Sequence, residues 1–225
     1  MLIAIDGPAG SGKSAVARRI AMHFGLEYLD TGAMYRSVAL LASEEGASMN
    51  DVKSIADMAR RIQIEFSPLS PDFQQKVWLN GKERTSDIRR PEVSQATSRI
   101  AAIPELRQIM ADRQREMAHQ AGNAILEGRD IGTVVLPDAD IKIYLTASPE
   151  ERARRRTIEL NEQAESEEND RVLAEQKERD VRDSSRSASP LRAAEDAIHI
   201  NSDGMDIESV VDRITALIKE KERAI

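Results

Sequence analysis

The chain has 225 residues and a mass of 25.0 kDa, enough to bury a core as one domain with insertions. It has no cysteine, which excludes disulfides, thiolate metal sites and a cysteine nucleophile, and its three scattered histidines (His23, His119 and His199) argue against a His-rich metal centre. With 32 basic and 39 acidic residues the net charge is −7, which argues against general binding to nucleic acid or an anionic membrane. No apolar run approaches the roughly 20 residues that cross a bilayer. The first residues lead directly into a strand-like run, so no signal peptide is evident. A cytoplasmic monomer is the expectation. Of the 32 basic residues, 24 are arginine and 8 lysine. The guanidinium fork suits phosphate and carboxylate, although a coding bias toward arginine gives the same count.

In chain order, residues 2–5 read as a short buried strand, broken by Asp6-Gly7. Residues 14–24 have helical apolar spacing, with Gly25 as a stop. Residues 27–30 read as a strand, 33–45 as a helix and 51–62 as another. Between 62 and 93 the pattern alternates at Ile62–Phe66 and Lys76–Leu79, and Asn80-Gly81 marks a hairpin. This reads as a small antiparallel insert. Helical sequence runs over 92–120, followed by a buried strand at 124–127 and another at 141–145. Ser148-Pro149-Glu150 opens a long polar stretch over 150–185. A last strand at 197–200 and a helix at 206–221 close the chain. The alternation of strands and helices predicts an α/β fold with a mostly parallel sheet covered on both faces.

Gly7-Pro8-Ala9-Gly10-Ser11-Gly12-Lys13-Ser14 fits G-x-x-x-x-G-K-[ST], with a strand before and a helix after. Glycines let the backbone N–H groups turn toward phosphate oxygens, and the helix adds its positive end. Lys13 is expected at the β- and γ-phosphates and Ser14 on Mg²⁺. The motif indicates a nucleoside triphosphate and leaves the acceptor open.

Three clusters point to that acceptor. Asp30–Arg36 puts Thr31, Tyr35 and Arg36 at a loop-to-helix junction suited to a phosphate monoester. Glu127–Gly132 exposes Arg129 and Asp130 at the carboxyl end of a strand, where open α/β sheets bind ligands. In the polar stretch, Arg152 and Arg156 share a helical face, as do Arg182 and Arg186, near Arg179 and Asp183. This stretch reads either as a solvated, salt-bridged helix pair or as a lid that closes over phosphates and excludes water.

Together these stretches resemble a family, the bacterial-type cytidylate kinases of the nucleoside monophosphate kinase group. The similarity is carried by IDGPAGSGKS (5–14), LDTGAMYR (29–36), ATSRIAAIPELR (96–107), LEGRDIGTVVLPDADIKIYLTAS (126–148), EERARRR (150–156) and ERDVRDSSRSASPL (178–191). It implies a three-layer P-loop kinase fold, with a five-stranded parallel sheet, a small antiparallel monophosphate-binding insert and a helical lid. The corresponding division is a core of 1–61, 94–150 and 186–225, an insert of about 62–93 and a lid of about 151–185. It also implies phosphoryl transfer from ATP to CMP or dCMP with Mg²⁺. Residue by residue, Gly7 to Ser14 hold ATP, and Lys13, Arg152, Arg156 and Arg186 act on the transferring group. Arg36 and Arg129 hold the CMP phosphate beside Thr31 and Tyr35. Ser98, Arg107 and Asp130 face the cytosine, Arg179 and Asp183 the sugar, and Arg186 lies near base and phosphates. The segment 161–169 receives no ligand role. Another small acceptor, such as UMP or shikimate, is the alternative reading.

Overall fold

The computed structural model describes residues 1–160 and 166–223; part of the expected lid, 161–165, lies outside the described residues. Five strands form one parallel sheet: β1 (Leu2–Asp6), β2 (Glu27–Asp30), β6 (Ala124–Gly128), β7 (Ile141–Thr146) and β8 (Ile198–Asn201). Their order is β2-β6-β1-β7-β8. Side chains alternate between the faces of a strand, and β1 shows the result. Ile3 and Ile5 pack with Val16 and Ile20 of α1 (Lys13–Phe24) and with Ile214 and Ile218 of α8 (Ile207–Arg223). Ala4 faces the other way, with Leu126 of β6 and Ala111 and Ala118 of α5 (Pro104–Ala121). Both faces are therefore covered, as a run of buried strands requires.

A second body of apolar contact joins α2 (Thr31–Glu44), α3 (Val52–Arg61) and α5 to a three-stranded antiparallel sheet. Its strands are β3 (Ile64–Phe66), β4 (Val77–Leu79) and β5 (Lys82–Glu83), in that order. The expected hairpin is present at Asn80-Gly81, where both residues have positive φ, 49° and 77°. Gln75 ties this insert to the main sheet by donating to the carbonyl of Tyr28 at 2.9 Å.

One expectation needs correction. The helical stretch over 92–120 is two helices, α4 (Pro91–Ile100) and α5. Pro104 cannot continue a helix, and it drives Ile103 to an extended conformation (φ −72°, ψ 116°). The polar stretch is a helix pair, as one of its two readings has it: α6 (Pro149–Leu160) and α7 (Ser166–Ser184), packed together. An element not anticipated from the sequence is a π turn at Ile131–Val135.

The chain leaves β1 through Gly7, at φ +151°, directly under β7. A Cβ on Gly7 would lie 2.0 Å from the carbonyl oxygen of Leu145. Backbone cannot yield as a flexible side chain does, so the loop or β7 would have to shift. Gly7→Ala is therefore expected to destabilise the protein by about 2–4 kcal/mol, read as a fall in Tm of roughly 5–10 °C. An unchanged Tm would show that the turn tolerates a side chain.

Candidate active site

The site lies at the carboxyl ends of β1, β2, β6 and β7, where an open parallel sheet leaves its crevice. After β1, Gly10 and Gly12 take left-handed conformations, with φ 77° and 90°. They curl the loop so that α1 begins at Lys13. The Lys13 ammonium is buried and folds back into the loop, donating to the Pro8 carbonyl at 2.7 Å. Burial, with Arg129 adding its repulsion, pushes its pKa down to about 7. Ser14 donates to Glu127 Oε1 at 2.7 Å, so the first turn of α1 is tied to the end of β6.

Beside this loop, Asp30 caps α2 by accepting from the Ala33 amide at 2.7 Å. The same carboxylate receives both bonds of Arg36 Nη2, at 3.0 and 3.1 Å. The cap thus explains Arg36's position as well as the helix start. Thr31 is buried and donates to the Glu127 carbonyl at 2.7 Å, locking β2 to β6.

The segment after β6 is held from two sides. Asp6 at the end of β1 accepts from the amides of Ile131 and Gly132, at 2.8 and 2.7 Å. Arg115 on α5 donates to the carbonyls of Val134 and Val135, at 2.8 and 3.0 Å. Burial pushes the Asp6 carboxyl up to about 7, although the two amides pull the other way. Held in this way, the segment presents Arg129 and Asp130. Asp130 Oδ2 meets Arg107 Nη2 at 2.6 Å, with both side chains buried. The Arg107 guanidinium carbon lies 5.5 Å from the centre of the Tyr35 ring. Arg129 Nε meets Asp183 Oδ2 at 2.9 Å, and Asp183 also accepts from Arg186. Burial acts to raise the Asp183 carboxyl, but Arg129, Arg186 and Arg179 outweigh it and hold it below the usual carboxylate range.

The helix pair α6–α7 reaches over the loop. Arg152 is buried, donates to the Ala9 carbonyl at 2.9 Å and meets Asp180 of α7 at 2.6 Å. Arg156, one turn on, is exposed. The shared helical face therefore gives the two arginines different surroundings, buried for Arg152 and exposed for Arg156. Arg179, on α7, keeps part of its surface exposed. Its enclosure by protein, with Arg129 adding to it, pushes its pKa down to about 10, so it stays cationic at neutral pH. Ser98 is bound by Arg182 Nη1 at 2.5 Å.

The expected residues thus converge. Lys13, Arg36, Arg129, Arg179 and Arg186 stand close enough to perturb one another's charge. Sequence reasoning did not assign roles to Asp6, Glu127 or Asp180, and placed Arg182 only among the lid arginines. Their partners lie far along the chain, so local spacing carries no signal for the pairings. Among the described residues, no cluster of three or more His, Asp or Glu side chains could hold a metal by itself.

Comparison with known proteins gives concordant results. The family model for cytidylate kinase matches residues 3–220. A cytidylate kinase of Geobacter sulfurreducens is 43% identical over 224 residues, covering 100% of this chain and 95% of that protein. One from Mycobacterium leprae is 44% identical over 225 residues, covering 100% and 98%. A bifunctional pantoate ligase/cytidylate kinase of Acaryochloris marina is 49% identical over 226 residues, covering 98% of this chain. Of that relative the chain spans only 42% of the length. A solved structure of an uncharacterized protein from Eubacterium ventriosum shares the fold, with a TM-score of 0.52, 14% identity and coverage of 98% of each chain.

The low pKa of Lys13 has a measurable consequence. Its folded value, about 7, lies below the ordinary 10.5, so between these pH values the folded chain holds fewer protons than the unfolded one, and stability rises with pH there. A triphosphate beside Lys13 would restore its charge. ATP binding at pH 8 is thus expected to take up a proton, seen calorimetrically as a binding enthalpy that varies with the buffer's ionisation enthalpy. Lys13→Met should abolish that dependence; its persistence would assign the proton elsewhere.

Proposed function

The chain belongs to the cytidylate kinase family, and on that footing we propose that this crevice transfers the γ-phosphoryl group of ATP to CMP or dCMP, giving ADP and CDP or dCDP. The observation that carries the reading is the convergence of Lys13, Arg36, Arg129, Arg179 and Arg186 at one end of the sheet, on a chain whose net charge is negative. Such a cluster fits a polyanion on both sides of a reacting phosphorus.

The donor side is the loop Gly7 to Ser14, with Lys13 toward the β- and γ-phosphates and Arg152 and Arg156 above it. Mg²⁺ fits here as an ion brought with ATP: it prefers oxygen ligands and keeps few from protein. The Ser14 hydroxyl, already oriented by Glu127, is the oxygen that would hold it. When bound, the ion neutralises charge that develops on the phosphate oxygens. On the acceptor side, Arg36 and Arg129 hold the monophosphate, with Thr31 and Tyr35 in the wall. Ser98, Arg107 and Asp130 read the base, Arg179 and Asp183 hold the sugar, and Arg186 stands between.

The step needs no strong general base, because the CMP phosphate oxygen is already an anion near neutral pH. That oxygen attacks the γ-phosphorus, the bond to the β–γ bridging oxygen breaks, and its electron pair leaves with ADP. Alignment and cationic stabilisation supply the rate. In this reading 62–93 is the monophosphate-binding insert, and 151–185 is the lid that excludes water over a core of 1–61, 94–150 and 186–225. No described helix is long and apolar enough to cross a membrane; a cytoplasmic monomer belongs to the same proposal.

Asp130 decides between acceptors. Cytosine offers an amino group where uracil offers a carbonyl, and a carboxylate accepts from the first and repels the second. The closest approach of Arg107 to this carboxylate is at Oδ2, 2.6 Å. In a panel of CMP, dCMP, UMP and shikimate, ADP formation should be fastest with the cytidine nucleotides and absent with shikimate. Asp130→Asn should lower the CMP/UMP ratio of kcat/KM by about tenfold or more. If both substrates fall together and the ratio holds, Asp130 merely anchors Arg107.

A further inference from the structure

Two neighbouring hydroxyls on α4 are used differently. Thr97 donates to the carbonyl of Val93, one turn back, at 2.7 Å. Ser98 instead accepts, from Arg182 Nη1 on α7 at 2.5 Å. Arg182 is steadied by Glu178, one turn earlier on its own helix, at 2.7 Å. A guanidinium carries only donors and keeps its protons throughout the pH range of proteins. The direction of the Arg182–Ser98 bond is therefore fixed, and the serine proton must point to another acceptor. Among the described residues, no protein group takes it. Ser98 also belongs to the wall that carries the base-reading pair. Three residues on, the Ala101 carbonyl accepts from Arg107 at 3.2 Å, and Arg107 meets Asp130.

We propose that Arg182 is a positioning residue for base selection, which makes the Ser98 hydroxyl an obligatory donor toward the acceptor nucleotide. A serine with no such partner rotates and serves as donor or acceptor, so it discriminates poorly. A serine fixed as a donor matches the N3 of cytosine, which accepts, and opposes the N3–H of uracil, which donates. Asp130 selects for the amino group and Ser98 for the ring nitrogen beside it, so the two contacts reinforce one another. Because the arginine comes from α7, a base is read in full only when that helix lies against α4. The inference rests on the proposed reading that Ser98 faces the base.

The test is the CMP/UMP ratio of kcat/KM, measured for the unmodified protein and for Ser98→Ala, Arg182→Met, their double variant and Arg182→Lys. Ser98→Ala and Arg182→Met should each lower the ratio by about tenfold. The double variant should fall no further than Ser98→Ala, because both changes remove one contact. Arg182→Lys retains a donor and should stay within about threefold of the unmodified ratio. A merely structural role for Arg182 would slow both substrates and leave the ratio unmoved. If Ser98→Ala lowers the ratio but Arg182→Met leaves it within about twofold, the role of Arg182 is overturned and the base-site reading stands. If Ser98→Ala leaves the ratio unchanged, the placement of Ser98 at the base fails, and the inference with it. Should Arg182→Met not melt cooperatively, Arg182→Leu carries the same comparison, since it too removes every donor.

Discussion

The structure is organised around a like-charge problem. Lys13, Arg36, Arg129, Arg179 and Arg186 face one crevice. Two unit charges about 6 Å apart repel by about 3 kcal/mol at an effective dielectric of 20. The fold offsets this with carboxylates placed between the cations. Asp183 lies between Arg129 and Arg186, and Asp30 holds Arg36. These carboxylates also fix the guanidinium forks, so each fork presents its remaining donors in a set direction. Arg36, Arg129 and Arg186 are ion-paired to these two carboxylates, and a pair of phosphate groups would relieve the repulsion that remains among the five cations.

Holding two substrates in line also requires the two halves of the crevice to be rigid relative to each other. Three links, two of them buried, provide this. Asp6 joins the start of the phosphate loop to the amides just beyond Arg129 and Asp130. Glu127 joins Ser14 of the donor side to β6. Thr31 joins the acceptor helix to the same residue's carbonyl. Burying the Asp6 carboxylate is costly, as its raised pKa records, and the two amide bonds offset part of that cost. The helix pair α6–α7 is attached through side chains: Arg152 to Ala9 and Arg155 to Ser202 from α6, and Asp183 to Arg129 and Arg182 to Ser98 from α7.

Much of this was legible in the sequence, for identifiable reasons. The phosphate loop was legible because its glycines and Lys13 act locally, within eight consecutive residues. The buried strands and the Asn80-Gly81 hairpin were legible through periodicity and backbone preference. Pro104 carried a readable signal for the break between α4 and α5, but helical spacing on either side masked it. The π turn after Asp130 was not legible, because it is held by Asp6 and Arg115, which are distant in the chain. Helical spacing grouped Arg152 with Arg156, yet Arg152 is buried and Arg156 exposed. Which side of a surface helix is buried depends on the partner helix, and spacing alone does not supply it.

The central claim is that the arginine cluster is a reader of phosphate, with the base contacts added to it. Calorimetric titration of CMP against cytidine at low ionic strength tests this most directly. Charge-assisted bonds from Arg36 and Arg129 to the monophosphate should make CMP bind at least about a hundredfold more tightly than cytidine, and added salt should narrow the gap. Equal affinities for CMP and cytidine would contradict the account.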